Sequence, residues 1–259
     1  MLDRHCLRNH PLIQELPPDE LGGASGARAF YVYTVGKRNT PEYPYSVANE
    51  KVASELGRVI GLRIPEVLLY RDTGEWLAFS HFIARTESGE TVPEGTAAEI
   101  AGFFERNPLE LHGMICFDLF VCNNDRKTDN LLVGDDQKVW LIDHANSLFY
   151  RPAGEIRPGI ARLTSVENDL KAMFDKPHRF IGALNSWEHI DTWCERFSQI
   201  PSYFIQSIIE NLPEGILTET ERAFLFEFLE RRKNRMGAII QENQRLFPAL
   251  RHRGGEEDE

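Results

Sequence analysis

The chain has 259 residues, 29 Lys+Arg against 40 Asp+Glu for a formal net charge of -11, and 42% hydrophobic against 27% charged residues. This is the composition of a globular protein long enough to bury roughly 70–75% of its unfolded surface without a staple. No window nears the ~18 apolar residues of a membrane span, so membrane insertion is not expected. The acidic balance, with no basic run longer than Arg231-Arg232-Lys233, excludes general nucleic-acid affinity. Cys6, Cys116, Cys122 and Cys194 form no CxxC pair and no zinc spacing. With a charged start, Met1-Leu2-Asp3-Arg4-His5, and no apolar leader after it, the expected compartment is the cytoplasm with reduced thiols.

In chain order, the flexible stretch Gly22-Gly23-Ala24-Ser25-Gly26 feeds Ala29–Val35, whose β-branched and aromatic residues predict a strand. A helix is expected from Ser46, a plausible N-cap, with Val52, Leu56, Val59 and Ile60 on one apolar face ending at Gly61. Val67–Tyr70 and Trp76–Phe79 flank Asp72-Thr73-Gly74, a hairpin pattern. The polar residues Thr86 to Thr96 have the composition of a linker between two lobes. Leu109 to Val121 is apolar around most of a helix, which predicts burial at a domain centre. Leu131–Val133 and Lys138–Ile142 read as a second hairpin that presents Asp143 at its end. Helices follow around Trp187–Phe197 and Ser202–Asn211, and a last one begins at Thr218, whose Thr-x-x-Glu fits a capping box. Residues 248–259, ending in four acids after Gly254-Gly255, read as a disordered tail.

The chemistry-bearing segment is Asn123-Asn124-Asp125-Arg126-Lys127-Thr128-Asp129-Asn130, with Asp143 thirteen residues later. Phosphoryl transfer needs a carboxylate to orient and deprotonate an attacking hydroxyl, and an amide oxygen and a second carboxylate to hold Mg²⁺ on nucleotide phosphates. Asp125, Asn130 and Asp143 can fill those roles, in the spacing Asp-x-x-x-x-Asn of a kinase catalytic loop. Such a spacing alone is also what surface turns contain, and its position between an apolar helix and a hairpin is what favours catalysis. Asp129 is read as a turn residue. Lys127 is either a cation near the transferred phosphoryl group or a solvated side chain. His144 is read as a packed or capping histidine, because Mg²⁺ prefers oxygen.

These residues resemble the HipA-like kinases, in particular their short single-domain members. The catalytic loop of that family, N-x-D-R-H-x-x-N, is matched by Asn123 to Asn130 with Lys127 in place of His, and its I-D-H by Ile142-Asp143-His144. Asn49-Glu50 and Leu56 to Glu66 are similar to its N-E…L-x-x-x-x-G-L-x-x-P-E stretch, and Glu230-Arg231-Arg232 and Leu246-Phe247-Pro248 also recur. The resemblance spans residues 20 to 248. It implies a two-lobed α+β kinase-like fold with a strand-rich N-lobe (1–86), a helical C-lobe (87–247) and the tail. It further implies use of ATP and Mg²⁺ and transfer of the γ-phosphoryl group to an acceptor hydroxyl, on a protein Ser or Thr. A lipid or small-molecule kinase and a nucleotide-binding module without turnover are the alternatives.

In that scheme Asn130 and Asp143 hold the metal, and Glu50 pairs with the nucleotide lysine. The candidate for that lysine is Lys37, although Gly36-Lys37-Arg38-Asn39 also reads as a turn. Only eleven positions separate Gly26 from Lys37, so the N-lobe lacks or shortens a strand. Gly22, Gly23 and Gly26 either let backbone N–H groups approach phosphates or form an ordinary flexible loop. Ser25 is a candidate for the inhibitory autophosphorylation known in this family, or a plain loop serine.

Overall fold

The computed structural model describes residues 13–15, 30–81, 91–134, 136, 138–149, 159–173 and 178–251. Strands β1 (Ile13–Glu15) and β2 (Phe30–Val32) pair antiparallel, and a three-stranded antiparallel sheet follows in the order β3-β5-β4. Its strands are β3 (Thr34–Arg38), β4 (Val67–Asp72) and β5 (Glu75–His81). The expected single strand from Ala29 is thus divided at Tyr33. The strand that carries Lys37 follows the β1–β2 pair, and residues 16–29 between β1 and β2 lie outside the described residues. The β4–β5 turn has Thr73 and Gly74 at φ 46° and 94°. That is the left-handed pair whose twist suits a two-residue hairpin.

Helix α1 (Ser46–Val59) lays Val47, Ala48, Val52, Ala53 and Leu56 against this sheet. Two expectations are corrected here. Ser46 is not the cap: it sits inside the helix and donates to the Tyr43 carbonyl, while the side chain of Asn39 accepts from Val47 N at 3.0 Å and satisfies the helix start. Val59 is not on the buried face but 45% exposed. Gly57 has no room for a side chain, because an added Cβ would stand 2.2 Å from Ile64. The helix therefore packs directly on the Leu62–Glu66 segment.

The helical part is built around α2 (Ala97–Phe103) and α3 (Pro108–Phe120). Every residue of α3 from Leu111 to Phe120 is buried, the polar His112 and Asp118 among them, as expected of a helix apolar around most of its surface. It packs against α5 (Trp187–Ser198) and α7 (Glu219–Glu242), with α4 (Gly159–Val166) and α6 (Ser202–Glu210) against α7. Thr218 and Glu221 make the expected capping box, and Thr96 with Glu99 makes another at α2. Buried Arg232 of α7 donates to the carbonyls of Leu119, Val166 and Glu167, so one guanidinium satisfies the open ends of α3 and α4. Strands β6 (Leu131–Val133) and β7 (Val139–Leu141) form the second hairpin.

The expected linker packs at its end: Val92 is buried, and Glu94 accepts from Thr128 at 2.9 Å. The expected tail is corrected over its first four residues. Leu250 is buried and the Arg251 carbonyl accepts from Trp187 Nε1 at 2.8 Å, so 248–251 belong to the packed chain, while 252–259 lie outside the described residues. No helix among the described residues is long and apolar enough to cross a membrane.

Two glycines test this packing with opposite signs. A Cβ on Gly113 of α3 would lie 2.1 Å from the Trp193 ring, whose Nε1 donates to the Leu109 carbonyl. A Cβ on Gly102 of α2 meets nothing within 4 Å. Urea unfolding should show Gly113→Ala less stable by about 1–3 kcal/mol and Gly102→Ala unchanged or more stable by up to ~1 kcal/mol.

Candidate active site

The site is organised by a charge buried in the wrong place for an ordinary helix. Asp118, in the last turn of α3, and Arg126, in the loop beyond it, both have fully buried side chains. The pair is bidentate, with Nε to Oδ2 and Nη2 to Oδ1 both at 2.9 Å. Asn123 Nδ2 also donates to Asp118, and His178 Nε2 lies 3.3 Å from Asp118 Oδ2. Burial pushes the Asp118 carboxyl up, but the Arg126 charge and the hydrogen bond to His178 overcome it and hold it far below the usual carboxylate range.

From this pair Arg126 reaches the rest of the site. Its Nη1 donates to the carbonyls of Asn130 and Ile142 at 3.0 and 2.8 Å, and its Nη2 donates to His144 Nε2. A single side chain thus ties the catalytic-type loop to both sides of Asp143. Burial and the facing guanidinium hold His144 down at about 3. It is a neutral, packed histidine, as the sequence suggests.

Asp143 itself is left-handed, at φ 60°. Aspartate tolerates this conformation better than most residues, at a cost of about 1–2 kcal/mol. Its flanks keep it there, with the Ile142 carbonyl held by Arg126 and the His144 N–H donating to Glu50 at 3.1 Å.

Opposite stands Lys37. It lies in β3, paired with Ala78, and not in a turn. Its Nζ donates to Glu50 Oε1 at 2.5 Å and to Asp143 Oδ1 at 2.8 Å. Burial pulls the ammonium down, but the Glu50 and Asp143 charges outweigh it, and its pKa lies above the ordinary lysine value. Burial raises Glu50, and Lys37 with the His144 amide offsets this only in part. Asp143 is likewise raised by burial but lowered more by Lys37, so it stays ionised.

Lys37, Glu50, Asn130 and Asp143 line one cavity of about 290 Å³, together with Asp129, His144 and the apolar side chains of Val35, Ile64, Val67, Leu132 and Ile142. Asp125 and Lys127 are not in its walls. They stand beside it on the loop, half-exposed and 3.7 Å apart, with Asp125 joined to the cavity through Asn130 Nδ2, which donates to its carbonyl at 2.9 Å. Gly22, Gly23, Ser25 and Gly26 lie outside the described residues. Sequence reasoning missed Asp118, and gave Asn123 and Arg126, both in the quoted motif, no role of their own. The available signal was Asp118, an acid set among Met114, Ile115, Phe117, Leu119 and Phe120 in the apolar last turns of α3.

Among the described residues no group of three or more His, Cys, Asp or Glu could hold a metal ion. The oxygen donors Asn130 and Asp143 on one cavity wall nonetheless suit a hard cation that keeps most of its water or shares phosphate oxygens. The residues therefore fit Mg²⁺ bound together with a nucleotide, and not a closed metal cage.

No known protein-family profile and no curated protein matches the chain. Among solved structures, the Helicobacter pylori proinflammatory kinase CtkA aligns over 90% of this chain and 96% of its own, with TM-score 0.55 and 16% identity. HipA of Shewanella oneidensis MR-1, solved with HipB and operator DNA, aligns over 90% of this chain and 74% of its own, with TM-score 0.48 and 13% identity. The chain has the two-lobed α+β fold of CtkA, the kinase-like fold that the sequence resemblance implies.

The buried pair predicts an acid-sensitive step. The folded-state pKa of Asp118 is depressed, so the stability it contributes is present above its unfolded value near 4 and is lost as pH falls below it. Asp118→Asn should cost about 3–5 kcal/mol at pH 7, because Arg126 is left buried and unpaired. In urea unfolding the gap between wild type and variant should narrow by up to ~1.4 kcal/mol per pH unit below pH 4, whereas a gap constant with pH contradicts the assignment.

Proposed function

We propose that the protein is an ATP- and Mg²⁺-dependent phosphotransferase that moves the γ-phosphoryl group to a hydroxyl, with a protein Ser or Thr as acceptor. The observation that carries this reading is Lys37, held between Glu50 and Asp143 in the lining of a cavity that is otherwise largely apolar. Phosphoryl transfer asks for positioning and charge stabilisation more than for covalent chemistry, and this arrangement supplies both.

In the proposed mechanism the strand-rich lobe, to about residue 86, supplies the upper wall of the nucleotide site. Val35, Ile64, Val67 and Leu132 receive the base by burial of apolar surface. Glu50 holds Lys37 toward the phosphates, and nucleotide arrival gives the lysine a phosphate partner in exchange for Asp143. Asn130 and Asp143 hold Mg²⁺, which when bound neutralises phosphate charge as it develops. Asp125 orients the acceptor hydroxyl and takes its proton. Lys127, beside it, stabilises negative charge on the transferred group. The acidic surface, with -11 net charge, favours a protein acceptor over an anionic lipid face.

Incubation with γ-labelled ATP and Mg²⁺ should place label on the chain itself or on dephosphorylated casein as phosphoserine or phosphothreonine. Asp125→Asn should lower the rate by about 10²–10⁴, with Mg-ATP binding kept, and Asp143→Ala should lose both. Nucleotide binding without transfer in the wild type would mark a binding module, and label from the α-phosphate would mark nucleotidyl transfer.

A further inference from the structure

We infer that Asn146 is the residue that positions Asp125, a role resting on the phosphotransferase reading above. The backbone of Asp125 is fixed at both ends: its N–H donates to Asn123 Oδ1 at 3.2 Å and its carbonyl accepts from Asn130. Those contacts set where the Cα lies but leave the carboxylate free to rotate. The contact that fixes the carboxylate comes from the segment after Asp143. There the left-handed Asp143 and a turn closed by Ser147 N to the His144 carbonyl, at 3.0 Å, fold the chain back toward the loop. Asn146 Nδ2 then donates to Asp125 Oδ2 at 3.1 Å.

The orientation of the Asn146 amide follows from charge. Turned the other way, its carbonyl oxygen would face a carboxylate oxygen, two acceptors in contact. The orientation observed leaves Asn146 Oδ1 buried with no hydrogen-bond partner among the described residues. A buried acceptor without a partner costs about 1–3 kcal/mol, and such costs are kept where a site needs the geometry. Asn146 and Lys127 both approach Oδ2, at 3.1 and 3.7 Å. Oδ2 is therefore the anchored oxygen, and Oδ1 is the one presented to the acceptor hydroxyl. The same short segment carries the metal-binding aspartate and the anchor of the base, so the two halves of the reaction share one rigid turn.

The test compares Asn146→Ala and the isosteric Asn146→Asp with wild type, using γ-labelled ATP and Mg²⁺ with dephosphorylated casein. Asn146→Ala should lower kcat by about 10- to 100-fold, the scale of a misplaced catalytic group, with KM for ATP and the Mg-ATP thermal shift unchanged. Asn146→Asp should be worse than Ala, because it keeps the shape but sets a carboxylate against a carboxylate. A role in shape alone gives the opposite order, with Asp close to wild type and Ala impaired, and that order would overturn the inference, as would an Ala variant within two-fold of wild type. Absence of transfer in the wild type itself would instead remove the phosphotransferase reading, and the positioning role with it.

Discussion

The Asp118–Arg126 pair is the constraint on which the site depends. A fully buried ion pair seldom adds stability, since the desolvation of two charges roughly cancels their attraction. Its value here is geometric. Arg126 uses its remaining donors on the Asn130 carbonyl and on the Ile142 carbonyl and the His144 ring, which flank Asp143. Because α3 is buried from Leu111 to Phe120, the anchor that Asp118 provides is packed on all sides. A loop hung from such an anchor has little freedom to misplace its functional groups.

The second organising feature spans the two lobes. Lys37 comes from the sheet, Glu50 from α1 and Asp143 from beyond β7, and all three meet within hydrogen-bond distance. Asn49, beside Glu50 and fully buried, donates to the Ala145 carbonyl and accepts from Phe149 N, so α1 grips the segment after Asp143 at several points. The Lys37–Glu50 ion pair is thus assembled by packing as well as by charge. Asp143 takes the second bond of the Lys37 ammonium, at 2.8 Å.

Much of this was legible in the sequence where the controlling forces are local. The burial of α3, the turn at Thr73-Gly74, the hairpin ending near Asp143 and the capping box at Thr218 follow from periodicity and turn chemistry. Asn130 and Asp143, chosen by spacing, lie on one cavity with Lys37 and Glu50. The misses are non-local or masked by composition. Helix α2 has its own Thr96–Glu99 box, yet its polar surroundings read as linker. The cap of α1 comes from Asn39, outside the helix, and so Ser46 looked sufficient. Leu250 packs residues 248–251 onto the core through burial that no charge pattern announces. Arg126 was visible as a letter in a motif, but its work depends on Asp118, a turn inside the preceding helix, and on carbonyls brought close only by folding.

The central claim is that the cavity around Lys37 and Asp143 binds a nucleotide together with Mg²⁺, and thermal unfolding with and without Mg-ATP measures it most directly. At about 100 times the Kd the wild type should gain about 2.7 kcal/mol, only with both ATP and Mg²⁺ present, and Lys37→Met and Asp143→Ala should each lose most of that gain. A wild type indifferent to Mg-ATP, or a full shift retained in both variants, would contradict the account.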